Sequence, residues 1–322
     1  MEYGTIGGVG QPVSRIFLGT AVKPMLFGQD ADEMLDAAVE NGINAFDTAR
    51  NYGGAEASLG RWMKKRDMRG KVVLLSKCAH PDEHGSRVSE RAIREDFARS
   101  EEALGSDYID IYLLHRDDER VPVGEIVELL NAMHREGKIG AFGGSNWTHE
   151  RLAAANEYAE MHGLIPFTAS SPNFGLAHQI CDPWGGGCVT ISGAENGTAR
   201  EWYRETQLPV IAYSALGRGF FSGKFRSDER AHAREVLDAV ARKAYDCEEN
   251  YLRLRRAEEL AKRKGCNVSQ IAMRWVFSEG LNAFAVVSAS SRERILGNIT
   301  ALSLPMTTKE AGYLDLRRND HE

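Results

Sequence analysis

The sequence predicts a (β/α)8 barrel, because eight short apolar runs alternate with longer segments whose apolar residues recur at helical spacing. Uninterrupted runs rich in Val, Ile and Leu are typical of parallel strands that are buried on both faces. Eight such strands that alternate with helices over about 300 residues are typical of one (β/α)8 domain.

The predicted strands and helices follow each other in order along the chain. The strands are RIFLGT (15–20), INAFDT (43–48), KVVLLSK (71–77), YIDIYLLH (108–115), IGAFGGSN (139–146), PFTASS (166–171), LPVIAYSA (208–215) and NAFAVVSAS (282–290). The clearest helices lie at 30–42, 88–105, 121–138, 148–163 and 267–280. Segment 88–105 illustrates the evidence, since Ser89 is a suitable N-cap and Gly105 a suitable C-cap.

Two stretches are longer than the barrel needs. They run over about 172–207 and about 225–264, and the second is charged and helical in pattern. Long loops of a barrel usually follow strands, at the C-terminal face where the active site lies. We therefore expect a single domain over 1–322, with long loops at that face.

Charge and composition exclude several classes of protein. The net charge is −6 with no basic stripe, which argues against a nucleic-acid partner. The apolar runs are too short to span a bilayer, and the first residues lack the pattern of a signal peptide. Five cysteines without regular spacing favour a reduced, cytoplasmic protein. His178, Cys181 and Cys188 lack a fourth ligand at a matching spacing, so no metal is expected.

The glycine-rich start, GTIGGVGQP, is a poor dinucleotide fingerprint. A proline and then a strand follow it, whereas the fingerprint of a Rossmann domain opens a helix. We do not expect a Rossmann domain here.

Four ionisable side chains are expected at the C-terminal ends of neighbouring strands. Asp47, Lys77 and His115 end the second, third and fourth predicted strands, and Tyr52 follows Asp47 by five residues. Alone, each has a structural explanation: a helix cap, a solvated lysine, a core histidine or a packed tyrosine. Together they converge on the mouth of the barrel, where active sites of this fold lie.

The four residues suit one mechanism. A free tyrosine has a pKa of about 10, and a nearby ammonium is expected to lower it. Asp47 would hold Lys77 charged beside Tyr52, and His115 would bond the substrate oxygen or relay a proton. Such a group polarises a carbonyl and protonates the developing alkoxide. It supplies no hydride, so a cofactor must.

Several motifs in one order resemble the aldo-keto reductase superfamily. They are DTARNYG, LLSK, YIDIYLLHRDD, GSN at 144–146, AYSALGRGFFSGK at 212–224 and SSRERILGN at 290–298, within a similarity that runs from about 13 to 302. The resemblance implies a (β/α)8 barrel, a nicotinamide cofactor and no metal. It also implies that Asp47, Tyr52, Lys77 and His115 form the catalytic tetrad, with Tyr52 as general acid.

The same resemblance implies a set of cofactor contacts. They are Gly19, Thr20, Ala21, Asp47, Ser145, Asn146, Ser171, Tyr213, Ser214, Ala215, Leu216, Gly217, Arg218, Gly219, Ser290, Ser291, Arg294 and Asn298. Residues 19–21, 145, 146, 171 and 213 would hold the nicotinamide end, and 214–219 the pyrophosphate. The last four would bind the adenosine end, with Arg294 on a 2′-phosphate.

Three positions depart from the family pattern. Ser171 stands where many members have Gln, Ser288 where several have Lys, and Gly297 where an acidic residue often meets the adenine. Fewer adenosine contacts result. Because of Arg294 we expect NADP, while NAD and a retained cofactor stay open.

Other functions fit part of the pattern. Lys77 could form a Schiff base, as in a class I aldolase, but GSN and AYSALGRG would then have no role. A non-catalytic cofactor-sensing subunit and an isomerase that retains NAD(P) would use the same barrel.

We expect a small-molecule carbonyl or alcohol as substrate, held by Tyr52, His115 and Trp184. An aromatic platform such as Trp184 would suit a sugar or another polyhydroxy carbonyl, although it could equally anchor its own loop. The sequence leaves the oligomeric state open.

Overall fold

A computed structural model describes residues 1–289 and 291–321. Its strands are β1 (Tyr3–Gly4), β2 (Val13–Ser14), β3 (Ile16–Gly19), β4 (Ala45–Asp47), β5 (Val73–Cys78), β6 (Ile109–Leu114), β7 (Ile139–Ser145), β8 (Ala169–Ser171), β9 (Val210–Ala212) and β10 (Ala283–Val287). The last eight close into a barrel in the order β10-β3-β4-β5-β6-β7-β8-β9. The (β/α)8 prediction is confirmed. Seven of the eight predicted runs contain one of these strands, and the run 71–77 contains all of β5 except its last residue, Cys78.

Helices follow most of these strands. They are α1 (Lys23–Leu26), α2 (Asp32–Glu40), α3 (Ala55–Arg66), α4 (Glu90–Leu104), α5 (Val123–Arg135), α6 (His149–Met161), α7 (Gly197–Thr206), α8 (Arg230–Val236), α9 (Ala239–Tyr245), α10 (Glu248–Lys264), α11 (Val268–Val276), α12 (Arg292–Ala301) and α13 (Thr308–Leu314). The predicted caps of α4 are confirmed. Ser89 accepts a hydrogen bond from the Ala92 N–H, and Gly105 has a φ of +63°.

The segment of α3 was not among the predicted helices. It contains Gly60, and a glycine inside a helix costs about 1 kcal/mol relative to alanine. A Cβ on Gly60 would lie 2.6 Å from the carbonyl oxygen of Ala103 in α4, so the glycine allows the two helices to approach closely. Close packing of α3 against α4 therefore explains why a glycine, which is unfavourable inside a helix, occupies position 60.

The glycine-rich start forms the turn of an antiparallel hairpin, in which β1 pairs with β2. Gly8 has a φ of +89°, and a Cβ there would lie 2.9 Å from the backbone nitrogen of Ala141 in β7. Glycine is thus required by a left-handed backbone and a close approach to a strand. This agrees with the expectation that the segment is not a dinucleotide fingerprint.

The chain divides into two compact units. The N-terminal unit contains residues 2–171 and 288–292, and the C-terminal unit contains 172–287 and the residues from 293 onward. The single-domain assignment stays a prediction. In the C-terminal unit, the stretch 225–264 forms the three helices α8, α9 and α10, as its pattern indicated. Among the described helices none is long and apolar enough to cross a bilayer.

Strand register in the N-terminal unit positions three of the four predicted catalytic residues. Asp47 pairs with Leu75, so Lys77 lies two residues farther along β5. Lys77 pairs with Leu113, and the N–H of His115 bonds to the carbonyl of Cys78 at 2.8 Å. Each side chain therefore extends beyond the previous one, and the Lys77 side chain can reach back to Asp47.

Two glycines shape the loop that carries Tyr52. Gly53 has a φ of +54°, and a Cβ there would lie 2.5 Å from the carbonyl oxygen of Leu26. A Cβ on Gly54 would lie 2.4 Å from the backbone of Gly28. Both contacts are with backbone atoms, which cannot rotate away as the end of a side chain can.

We predict that Gly54→Ala lowers the free energy of unfolding by about 1–3 kcal/mol, the usual cost of overpacking. Gly70→Ala is the matched control, since a Cβ at Gly70 meets nothing within 4 Å. Denaturant unfolding of both variants measures the difference. Equal stability of the two would show that the Gly28 backbone can move aside.

Candidate active site

The four predicted catalytic residues lie together in the N-terminal unit. Asp47 ends β4, Lys77 lies in β5, His115 follows β6, and Tyr52 lies in the loop before α3. Asp47, Lys77 and His115 are each less than 8% exposed, whereas Tyr52 is partly exposed. The structure thus brings a carboxylate, an ammonium, an imidazole and a phenol to one place.

A buried ion pair joins Lys77 and Asp47. The Lys77 ammonium donates to the Asp47 carboxylate and, at 2.9 Å, to the carbonyl of Thr48. Burial alone would lower the pKa of Lys77, but Asp47 and Tyr52 raise it above its usual value. Burial raises the pKa of Asp47, and Lys77 opposes that change. The pair therefore keeps Lys77 charged at neutral pH.

Tyr52 lies beside this ammonium, with Lys77 Nζ 5.1 Å from the centre of its ring. Removal of solvent raises the pKa of the phenol, and the charge of Lys77 lowers it only in part. The net direction is upward, so the expectation of a lowered pKa was wrong for the protein alone. Desolvation outweighs the nearby charge, and Tyr52 holds its proton at neutral pH.

His115 lies edge-on to Tyr52, with 5.6 Å between ring centres. Burial, followed by the charges of Lys77 and Arg116, holds its pKa well below the usual value. The imidazole is therefore neutral. Its Nδ1 is buried and has no hydrogen-bond partner among the described residues, so a polar group of a ligand would satisfy it.

His80 was not among the predicted site residues. Its ring lies 5.0 Å from the ring of His115, also edge-on. It follows Lys77 by three residues, just after β5. Its position beyond a strand end was the only sequence feature that could have indicated it.

Three predicted cofactor residues form one hydrogen-bonded group at the ends of β7 and β8. Ser145 Oγ donates to the carbonyl of Ser171 at 2.9 Å, and the Asn146 N–H donates to the same carbonyl at 3.1 Å. Asn146 Nδ2 donates to the carbonyl of His115 at 3.1 Å. Asn146 has a φ of +61°, which asparagine tolerates better than most residues.

The predicted residues at the end of β3 lie beside Asp47. Gly19 pairs with Asp47 in the sheet, and both the N–H and the Oγ1 of Thr20 donate to the Asp47 carbonyl, at 2.9 and 3.0 Å. Ala21 follows them directly and is exposed. The backbone of Asp47 is thereby fixed from the side of β3.

In the C-terminal unit, the loop of Tyr213, Ser214, Ala215, Leu216, Gly217, Arg218 and Gly219 has an unusual backbone. Ser214, Gly217, Arg218 and Gly219 all have a φ between +49° and +94°. Two of these four are not glycine, and such conformations persist only where the surroundings or a function require them. Arg218 donates to Asp238 at 2.8 Å, so its charge is partly compensated.

Trp184 packs against this loop. Its ring centre lies 6.3 Å from that of Tyr213, and the Arg218 guanidinium lies 5.6 Å from its ring. Asp182 fixes the approach by accepting hydrogen bonds from the N–H groups of Trp184 and Cys188. Trp184 is nevertheless 44% exposed. It anchors its own loop on two predicted cofactor residues while part of its side chain stays exposed, and its contact with substrate stays a prediction.

Three of the four predicted adenosine contacts lie in α12 or directly before it in the chain. Ser290 lies outside the described residues, Ser291 directly precedes the helix, Arg294 is exposed on it and Asn298 is buried. Arg292, which was not predicted, donates to Glu40 at 2.6 Å. Because α12 begins at Arg292, Arg294 lies in the first turn of this helix.

The residues considered as metal ligands have other partners. His178 Nε2 lies 2.5 Å from Glu195 Oε1, and the Cys181 thiol donates to the carbonyl of Lys243 at 3.2 Å. Among the described residues, no group of three or more His, Cys, Asp or Glu is arranged to hold a metal ion.

Comparison with known proteins adds an independent finding. The model of the aldo/keto reductase family matches residues 16–317. The chain is 28% identical to the oxidoreductase YrpG of Bacillus subtilis over 95% of its own length and 92% of that protein. It is 26% identical to L-glyceraldehyde 3-phosphate reductase of Escherichia coli, over 90% and 84% of the two chains. It is also 26% identical to versiconal hemiacetal acetate reductase of Aspergillus parasiticus, over 98% and 96%.

The match extends over nearly the whole barrel, and the relatives named are oxidoreductases. The motifs found in the sequence, the closed barrel of parallel strands and the family match agree. This chain is an enzyme of the aldo/keto reductase family.

Proposed function

We propose that the protein reduces an aldehyde or ketone to an alcohol with NADPH, and that Tyr52 supplies the proton. One observation carries the proposal: a protonated phenol lies beside the buried Lys77–Asp47 pair and the neutral ring of His115. Members of this family generally use a nicotinamide cofactor. The choice of NADP and the role of each residue are the proposed part.

The residues present fit such a cofactor. Four residues of the loop 214–219 have a left-handed backbone, the kind of conformation from which anion-binding backbone nests are built, and this supports a pyrophosphate there. Ser145, Asn146 and Ser171 offer buried polar groups for a carboxamide. When bound, a reduced nicotinamide supplies the hydride that the carbonyl carbon accepts.

The side chains of the N-terminal unit would then control the proton. The Tyr52 O–H would donate to the carbonyl oxygen as negative charge develops there, and its raised pKa keeps the proton available until that moment. The Lys77 ammonium would stabilise the phenolate that results, and Asp47 holds Lys77 in place. A neutral His115 would donate a hydrogen bond to the same oxygen without a charge of its own.

The substrate is proposed to be a small carbonyl compound with several polar groups. The partly exposed Trp184 supports a polyhydroxy or sugar-like compound, since ligand sites commonly combine aromatic side chains with a few polar groups. The similar Escherichia coli protein is named for a phosphorylated aldehyde.

The reaction is tested directly by offering the protein a generic aldehyde with NADPH or NADH and measuring the loss of reduced-nicotinamide absorbance.

We predict that Tyr52→Phe loses at least about 10²-fold in kcat, because the variant lacks the general acid. Its affinity for NADPH should be unchanged, since the phenol is not among the proposed cofactor contacts. Tyr203→Phe is the control, because it removes the same hydroxyl from a tyrosine in α7 that is not among the proposed catalytic residues. Reduction by Tyr52→Phe at close to the normal rate would contradict the proposed role.

The pKa directions predict a flat pH profile for reduction around neutrality. Burial raises the pKa of Tyr52 and lowers that of His115, so Tyr52 stays protonated and His115 stays neutral between about pH 6 and 9. The value of kcat/KM should fall only as pH rises toward the titration of Tyr52. An inflection of kcat/KM near pH 6.5 that disappears in His115→Asn would contradict the prediction that His115 is neutral. An inflection that disappears in His80→Asn would instead report the titration of His80.

We predict that Arg294→Ala weakens NADPH binding by about 10- to 100-fold, the cost of one charge-assisted contact. NADH binding should stay the same, because NADH has no 2′-phosphate. Arg292→Ala is the control, since it removes a charge from the same turn that is not among the proposed cofactor contacts. Titration by fluorescence measures the dissociation constants of NADPH and NADH. Equal losses of affinity for the two cofactors would exclude Arg294 as the 2′-phosphate contact.

A further inference from the structure

Arg116 is a buried cation that lacks a counterion. It directly follows His115 and is 8% exposed. Its NH1 donates to the carbonyl of His115 at 2.8 Å. Among the described residues it has no other hydrogen-bond partner, and no carboxylate lies within ion-pair distance of it. A buried charge in this state is costly unless another group compensates it.

The carboxylates nearest in sequence are taken by other cations. Asp117 accepts from Arg151 at 2.9 Å, and Asp118 accepts from Arg120 at 2.7 Å. The chain thus places two acids directly after Arg116, and both are used elsewhere. The lack of a partner for Arg116 is therefore a property of the local fold and not of a local shortage of acids.

Other buried arginines of this chain are compensated. Arg253 lies 3.4 Å from Asp315. Arg256 donates to two backbone carbonyls and lies over the ring of Tyr313, and Arg200 also donates to two carbonyls. Arg116, with one carbonyl and no acid, differs from all three.

The guanidinium lies close to the proposed catalytic groups. Its backbone neighbour His115 contacts the rings of both Tyr52 and His80. Burial raises the pKa of Tyr52, and the charge of Arg116 is among those that oppose this rise. Its charge also helps to lower the pKa of His115 and of His80. The hydrogen bond from the guanidinium to the His115 carbonyl ties this charge to the candidate site, and the three electrostatic effects agree with that position.

We propose that Arg116 binds an anionic oxygen group of the substrate, a carboxylate or a phosphate, close to the carbonyl that is reduced. The inference rests on the proposed function, since it names the substrate class of the same site. A guanidinium presents two parallel N–H groups that match such oxygens, so it would orient the substrate as well as attract it. The substrate then neutralises the buried charge that the protein leaves uncompensated.

Matched substrate pairs test this proposal. The carboxylate pair is succinic semialdehyde and butanal, and the phosphate pair is glyceraldehyde 3-phosphate and glyceraldehyde. In the wild-type enzyme, the anionic member of at least one pair should have a kcat/KM at least about 10-fold higher than its neutral partner. The pair that shows the preference identifies which oxygen group the site accepts.

Variants assign the preference to Arg116. Arg116→Gln keeps an N–H donor for the His115 carbonyl but removes the charge. Its kcat/KM for the anionic aldehyde should therefore fall at least about 10-fold further than its kcat/KM for the neutral partner, mainly through a higher KM. Arg116→Lys should restore part of the preference, because a point charge replaces the fork. Arg120→Gln removes a charge nearby on the chain and should leave the preference intact, since Arg120 pairs with Asp118.

Inhibition by small anions tests the same site without requiring that an anionic substrate be reduced. Inorganic phosphate and acetate should compete with the neutral aldehyde in the wild type and not in Arg116→Gln, with chloride at equal ionic strength as reference. The inference is overturned if neither anionic substrate is preferred, or if Arg116→Gln loses equally on charged and neutral substrates. The second outcome, with a shifted pH profile, would mean that Arg116 acts on Tyr52 instead. Failure to reduce any carbonyl would instead remove the proposed function.

Discussion

The buried ion pair between Lys77 and Asp47 is the interaction on which the rest of the candidate site depends. Two charges removed from water are stable only when they meet closely and their remaining hydrogen bonds are satisfied. The strand register supplies the first condition, and the carbonyl of Thr48 contributes to the second. Because the pair fixes one charge beside the Tyr52 ring, the phenol can be strongly desolvated and still have a cation available to stabilise its anion.

The barrel and the clustering of the four ionisable side chains could be predicted from the sequence, because both follow from local patterns. Apolar runs indicate strands, and a polar residue at the end of a strand points to the mouth of a barrel. Other features could not be predicted in this way. The helix around Gly60 was missed because a close approach to α4 cannot be recognised from the segment alone. His80 has no distinguishing motif, and its role depends on a ring contact with His115.

Electrostatics was the least predictable part, since it depends on burial as well as on spacing. The sequence indicated a lysine near Tyr52 and therefore a lowered pKa, but desolvation of the phenol reverses the direction. The same holds for the segment after His115. There an arginine is followed by two acids, and Asp117 pairs with Arg151 while Asp118 pairs with Arg120. Only the folded chain reveals which charge is left without a counterion.

The glycines after Tyr52 have a consequence for loop engineering. Backbone atoms of Leu26 and Gly28 lie against Gly53 and Gly54, and side chains of α3 strengthen the contact. Ser58 Oγ donates to the carbonyl of Gln29, and Arg61 donates to that of Gly28, both at 2.6 Å. The loop after β3 and the loop after β4 thus pack closely against each other and are joined by hydrogen bonds from α3. A graft from another barrel would have to transfer both loops together, since either one alone would meet a surface shaped for a different neighbour.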